Sequence, residues 1–144
     1  MGSLSQNRMK AQASVEMMVT FALVITFMVP VLLLLLVASQ YGAESASISQ
    51  GQASSHLVAD TINDVFTQGP GASKIILVNL PGNTQKFAIS GKEVTITMKV
   101  GNGNYEAVSP VFGNVGNFEI EAINGLFPLR IKNKGGVIEV AENE

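Results

Sequence analysis

The chain has no cysteine and no tryptophan, and only one of its 144 residues is histidine. Without cysteine it forms no disulfide bonds and offers no thiol for catalysis or for a zinc or iron–sulfur site. A single histidine leaves almost no material for a catalytic triad or a histidine metal cluster. The net charge of −2 is too small to indicate nucleic-acid binding. We therefore expect a protein that is not an enzyme and that uses no metal, cofactor or nucleic acid.

One long stretch lacks charge altogether. Residues 17–37 contain no acidic or basic side chain, and as a helix they would be about 31 Å long. That length matches the hydrocarbon core of a bilayer and exceeds the apolar region of an ordinary signal peptide. Because the stretch is apolar on every side, it predicts a helix that lies in lipid or at the centre of a bundle. Arg8 and Lys10 precede it, which places the N-terminus in the cytoplasm and the later residues outside.

Pro30 and Glu16 are the unusual residues of this region. Pro30 has no N–H for the carbonyl of Thr26, so the helix is expected to bend there, or to adjust there when it leaves lipid for a polymer. Glu16 lies directly before the apolar run, where a carboxylate is costly unless it has a partner. One interpretation of Glu16 is a first-turn acid that the helix dipole favours, with an N-cap near Ser14 or Gln12.

The residues around Glu16 support a second interpretation. The run Lys-Ala-Gln-Ala-Ser-Val-Glu, from Lys10 to Glu16, resembles the class III signal peptide of archaeal type IV pilins. The resemblance implies that a prepilin peptidase cuts between Ala11 and Gln12. Residues 1–11 would then be a leader, and Glu16 would be the fifth residue of the mature chain. The sequence is compatible with a start at Met1 or at Met9.

The same resemblance implies a structural function. The precursor would lie in the cytoplasmic membrane and then polymerise as a homo-oligomer into an extracellular surface filament that serves adhesion, with the pilus assembly machinery as its partner. Glu16 would pair with the N-terminal amine of a neighbouring subunit. The residues expected to direct processing are Lys10, Ala11, Gln12, Ser14 and Glu16. The residues expected to serve assembly are Glu16, Phe21, Leu23 and Pro30.

Two alternatives share this topology. A membrane-anchored monomer would bind an extracellular ligand through its outer domain, without cleavage or polymerisation. The residues Val37-Ala38-Ser39 also resemble a standard signal-peptidase site, whose cleavage would release a soluble domain that begins at Gln40. The helical pattern continues through Ser39, and this disfavours release.

Helical spacing extends well beyond the apolar run. Apolar and small residues at intervals of three, four and seven predict one helix from about Ala13 to about Gln68, with a weak point near Gly42 or Gly51. The run Gly69-Pro70-Gly71 ends it. On the opposite face, His56, Asp60 and Asp64 are expected to lie in solvent rather than to bind a metal.

Beyond Gly71, apolar residues alternate with polar ones, which predicts short strands separated by glycine- and asparagine-rich turns. The predicted strands cover residues 75–80, 87–89, 94–100, 105–112, 118–122, 129–132 and 137–140. The expected fold class is α+β and pilin-like. In it, a long helix with a hydrophobic first half (residues 12–68, with the membrane or filament-core segment 17–37) precedes an extracellular domain (residues 72–144). That domain is expected to be a small antiparallel β-sandwich or a partly open barrel.

Overall fold

One long helix and five strands follow one another along the chain. The computed structural model describes residues 2–121 and 123–143, with side chains from residue 14 onward. The elements are α1 (Gly2–Gln68), β1 (Ser73–Leu80), β2 (Thr84–Val100), β3 (Gly103–Glu121), β4 (Gly125–Lys134) and β5 (Val137–Glu142). The predicted α+β arrangement, a long helix followed by a β domain, is confirmed. The chain divides into two compact units, Met1–Gly42 and Ala43–Glu144, so the second half of α1 belongs to the unit that contains the sheet.

Helix α1 ends at Gln68 as predicted but begins at Gly2 rather than near Ala13. Residues 3–13 contain neither proline nor glycine, so nothing in them interrupts a helix. The helix also continues through Gly42 and Gly51, the two predicted weak points. The boundary between the two compact units nevertheless falls directly after Gly42. No loop of the described chain therefore separates the apolar first half of α1 from its second half.

The strands form a single sheet in the order β1-β4-β5-β3-β2. Its neighbours are antiparallel except β3 and β5, which are parallel where Asn114 faces Val137 and Val115 faces Ile138. The prediction of a wholly antiparallel domain is therefore wrong at this pair. Strands β4 and β5 form a tight hairpin and are therefore antiparallel. Strand β5 lies between β4 and β3, and there it runs in the same direction as β3.

Hydrogen bonds of Asn83 connect the two ends of β2. The backbone N–H of Lys99 donates to the carbonyl of Asn83 at 2.9 Å. The Asn83 side-chain amide donates to the carbonyl of Lys99 at 2.6 Å. Asn83 directly precedes Thr84, the first residue of β2, and Lys99 lies next to Val100, its last residue. The strand therefore bends back so that its two ends lie side by side.

Two of the predicted turns lie inside long strands, which is why the structure has five strands rather than seven. Strand β2 contains the predicted strands 87–89 and 94–100, and β3 contains 105–112 and most of 118–122 (Ala122 lies outside the described residues). Gly91 marks a bulge, where the pairing of β2 with β3 changes register and the backbone has a φ of +61°. At Gly113 a side chain would collide with α1, because an added Cβ would lie 2.6 Å from the ring of Phe66. The two glycines thus allow a bulge and a close approach of the helix rather than turns.

The hydrophobic core lies between the second half of α1 and the inner face of the sheet. Val58, Ile62 and Val65 of α1 are fully buried and are spaced by four and three residues, as one helix face requires. Burying each such side chain stabilises the fold by about 1.5–3 kcal/mol. From the sheet, Phe87 is also fully buried and packs edge to face against Phe118, with 6.0 Å between the ring centroids. The helix and the sheet therefore depend on each other for burial.

Polar side chains of α1 bind backbone groups of β1 and β3. On one flank of the helix, the hydroxyl of Ser54 donates to the carbonyl of Asn79 in β1 at 2.6 Å. On the other flank, the side-chain oxygen of Asn63 accepts a hydrogen bond of 2.9 Å from the backbone N–H of Phe112 in β3. A strand edge presents unpaired backbone groups, and such groups are costly when they are buried without partners. The helix therefore lies between β1 and the first half of β3 and supplies those partners.

A small group of hydroxyls lies in the same contact. Ser55 and Ser109 are buried, and their Oγ atoms are 2.9 Å apart. The Oγ of Ser109 also lies 3.2 Å from Nδ1 of His56. His56, Asp60 and Asp64 are exposed, as expected, although His56 also reaches the sheet through this hydrogen bond. Within residues 14–121 and 123–143 there is no cluster of three or more residues of the types that bind metals.

We expect Asn133→Ala to destabilise the β domain by about 1–3 kcal/mol, the cost of leaving buried hydrogen-bonding groups without partners. Asn133 is 2% exposed. Its amide donates to the carbonyl of Val65 near the end of α1 at 3.4 Å, and its side-chain oxygen accepts from the N–H of Gly136 at 2.9 Å. Chemical denaturation of the full chain in detergent micelles measures the change. The exposed Asn104→Ala is the matched control, and an equal effect from both variants would contradict this role for Asn133.

Candidate membrane and assembly segment

The side chains of residues 14–42 are exposed. From Val15 to Val37 the large apolar side chains are between 45% and 69% exposed, although they are the kind that normally fill a core. Soluble monomers rarely expose a continuous apolar surface of more than a few hundred Å². Water is therefore a poor environment for this segment, and it needs lipid or other apolar helices around it.

Within the described residues, one helix is long and apolar enough to cross a membrane, judged by its length and composition. That helix includes the predicted segment 17–37 and lies near the N-terminus. Its apolar part has no buried portion, unlike the core helix of a soluble protein. The chain therefore has a segment that can anchor it in a membrane.

The two threonines of the apolar segment have hydrogen-bonded hydroxyls. Thr20 Oγ1 donates to the carbonyl of Glu16 at 2.8 Å, and Thr26 Oγ1 donates to the carbonyl of Ala22 at 2.7 Å. In lipid a free hydroxyl would lack a partner, but a hydroxyl bonded to the carbonyl four residues earlier is satisfied within its own helix. These two hydrogen bonds could have been predicted from the sequence, because a threonine in a helix always has the carbonyl four residues earlier within reach.

Pro30 lies inside α1, and the backbone is helical on both sides of it. The carbonyl of Thr26 loses the donor that another residue at position 30 would provide. One turn earlier, the carbonyl of Ala22 accepts the extra bond from the Thr26 hydroxyl, a contact that often accompanies bending. Pro30 therefore removes one backbone hydrogen bond from the helix, and its role as an adjustable point stays a prediction.

The residues predicted to serve assembly are distributed around the helix. Glu16 is exposed, and Phe21 and Leu23 are each 57% exposed. Ser14, predicted for processing only, is also exposed. Phe21 and Leu23 are two residues apart, so at 3.6 residues per turn they point to different sides of the helix. A single neighbouring helix would not contact both side chains, whereas several surrounding helices would. The side chains of Lys10, Ala11 and Gln12 lie outside the described residues, so the predicted processing site stays a prediction.

Comparison of the chain with models of known protein families, with curated proteins and with solved structures gave no match.

Proposed function

We propose that the chain is a structural subunit of a surface filament of the archaeal type IV pilus kind, cleaved by a prepilin peptidase and polymerised through its hydrophobic helix. The observation that supports this most is the continuity of α1. The apolar segment is exposed on every side, and it continues without a loop into the helix around which the β domain is built. A simple membrane anchor needs no such continuity, whereas in a filament the segment that packs in the core must be joined directly to the outer domain.

The transfer from membrane to filament is energetically reasonable for this segment. Lipid and the centre of a helix bundle are similarly apolar, so the exchange carries no large desolvation cost. Phe21 and Leu23 would contact different neighbours in the bundle, because they lie on different sides of the helix. The backbone hydrogen bond that Pro30 removes would leave the helix able to adapt to its new packing there. The β domains would form the outer surface and would carry adhesion.

We expect the mature protein in the surface fraction of its native cells to begin at Gln12. Mass spectrometry of the N-terminus and of the intact protein measures this directly. The mass would be lower than that of the full chain by residues 1–11, since cleavage before the apolar helix leaves that helix in the mature protein. Electron microscopy of the same fraction would then show filaments that contain this chain.

Other N-termini would support the two alternatives. A chain that retains Met1, Gly2 or Met9 at its N-terminus, and forms no filaments, would be a membrane-anchored monomer that binds a ligand outside the cell. A chain that begins at Gln40 would be a released soluble domain. Either result would overturn the proposed function.

A further inference from the structure

Two exposed apolar patches lie on the outer face of the β domain. The first, which we call patch A, consists of Ile75, Leu77, Leu126 and Pro128. In the pairing of β1 with β4, Leu77 lies opposite Pro128 and Asn79 lies opposite Leu126, so all four residues of the patch share one face. Ile75, Leu77 and Leu126 are 54%, 61% and 69% exposed. Patch A is therefore an apolar surface that the described chain leaves uncovered.

The second surface, which we call patch B, lies on β3 and consists of Val108, Pro110 and Phe112. These residues alternate along the strand and so point to the same side, away from the buried residues between them. Phe112 is 77% exposed, the highest value among the exposed large apolar side chains of the described residues. Of the exposed large apolar side chains that the structure describes on the strands, all except Val137 belong to patch A or patch B.

The two patches carry opposite charges at their borders. Arg130 and Lys132 continue the face of patch A along β4. Glu106 continues the face of patch B along β3, and Glu93 of β2 lies opposite Pro110. None of these four charged residues takes part in the ion pairs that the structure describes, which are Lys74–Asp64, Lys86–Glu119 and Lys134–Glu139.

Three lysines of β2 also lie near patch B. The ammonium group of Lys86 donates a hydrogen bond to the carboxylate of Glu119, and this bond raises the pKa of Lys86 above its usual value. Lys99 lies on the same face as Glu93 and Glu106, and Lys92 is exposed beside Glu93. At the border of patch A, Glu139 lies opposite Lys132 but is bound by Lys134. Patch A thus has a basic border, and the carboxylates Glu93 and Glu106 lie at the border of patch B.

The patches lie on opposite flanks of α1. Strand β1, which carries part of patch A, contacts one flank through Asn79 and Ser54. Strand β3, which carries patch B, contacts the other flank through Phe112 and Asn63. Within one copy the patches are therefore separated by the helix and cannot cover each other.

We propose that patch A of one copy docks onto patch B of the next copy. This inference rests on the proposed function, and it specifies the contact between the outer domains. Arg130 and Lys132 would face Glu93 and Glu106, while contacts between two copies of the same patch would bring like charges together. Because the two surfaces differ, the contact is head to tail, and a head-to-tail contact that does not close into a ring builds an open helical array.

Engineered cysteines test this contact sharply, because the chain has no cysteine of its own. We expect the full-length double variant Leu77→Cys with Phe112→Cys to give a ladder of multimers when cells are treated with a short bis-maleimide crosslinker. Co-expression of the two single variants should give dimers only, since each copy then has one reactive patch. Each single variant alone should give monomers. The exposed Gln85→Cys, placed on β2, combined with Phe112→Cys is the matched control and should also give monomers.

The outcomes separate this inference from the proposed function. Filaments without a ladder would overturn the docking of patch A on patch B and leave the filament proposal standing. Dimers from Leu77→Cys alone would show that patch A binds patch A, which also overturns it. If the unmodified chain forms no filaments, the proposed function fails. In that case, dimers from the co-expressed Leu77→Cys and Phe112→Cys variants would still support docking of patch A on patch B between copies in the membrane. The absence of those dimers would overturn the docking.

Discussion

Replacing Glu16 by leucine is expected to abolish filament assembly. In the proposed filament core, the Glu16 carboxylate pairs with the N-terminal amine of a neighbouring subunit. Removing one partner of a buried pair costs about 3–5 kcal/mol, because the other charge stays buried alone. At 1.4 kcal/mol for each factor of ten, this would lower the association constant of a subunit by roughly 100- to 4,000-fold. Electron microscopy of the surface fraction measures the loss.

Controls separate this role from processing and from folding. Glu142→Leu removes a carboxylate from an exposed position of β5 and should leave filaments at their normal level. The intact mass of the Glu16→Leu protein shows whether residues 1–11 are gone, and so separates the assembly role of Glu16 from its predicted processing role. Normal filaments from this variant would contradict the pairing, and an uncleaved protein would place the effect of Glu16 in processing instead.

The second large effect concerns the core. We expect Phe87→Ala to destabilise the β domain by about 3–5 kcal/mol, the usual range for truncating a buried phenylalanine. Phe87 has no exposed surface, and it also loses its edge-to-face contact with Phe118. Chemical denaturation of the full chain in detergent micelles, followed by circular dichroism, measures the change in the free energy of unfolding.

Phe112→Ala is the matched control, since it removes the same side chain from a position that is 77% exposed. Its effect on the monomer should be within about 0.5 kcal/mol, as is usual for surface substitutions. A large loss from Phe112→Ala, or a small one from Phe87→Ala, would contradict the burial on which the core depends.

The helix was the most predictable part of the fold. Its end at Gln68 follows from local chemistry, because Gly69-Pro70-Gly71 cannot continue a helix. Its start at Gly2 was not predicted, because the expected N-cap near Ser14 or Gln12 is only a preference and nothing in residues 3–13 breaks a helix. Capping residues favour an end, but they do not impose one.

The strands were predicted less well, for a physical reason. Glycine marks turns, but it also permits bulges and close contacts, and the sequence alone does not distinguish these uses. The role of Gly113 depends on the ring of Phe66, which lies 47 positions earlier in the chain. The parallel pairing of β3 with β5 was missed for a similar reason, because strand order depends on contacts across the whole sheet and not on local sequence.

The membrane and assembly segment could be predicted from the sequence, because the transfer of a helix into lipid depends on the residue composition of one short stretch. The boundaries of the predicted segment 17–37 follow directly from the absence of charge within it. Patches A and B were not recognisable, since each appears in the sequence as ordinary alternation of apolar and polar residues. They become visible only when the sheet shows which of those residues lie on the face away from α1.

The position of α1 between β1 and β3 also affects how the strand edges of neighbouring copies can meet. Proteins that leave strand edges open tend to join edge to edge and to aggregate when they are crowded. Here the helix binds backbone groups of β1 and β3. The remaining edge strand, β2, carries the bulge at Gly91 and three lysines, at positions 86, 92 and 99. Two neighbouring copies of this domain would therefore meet through their side chains rather than through unpaired strand edges.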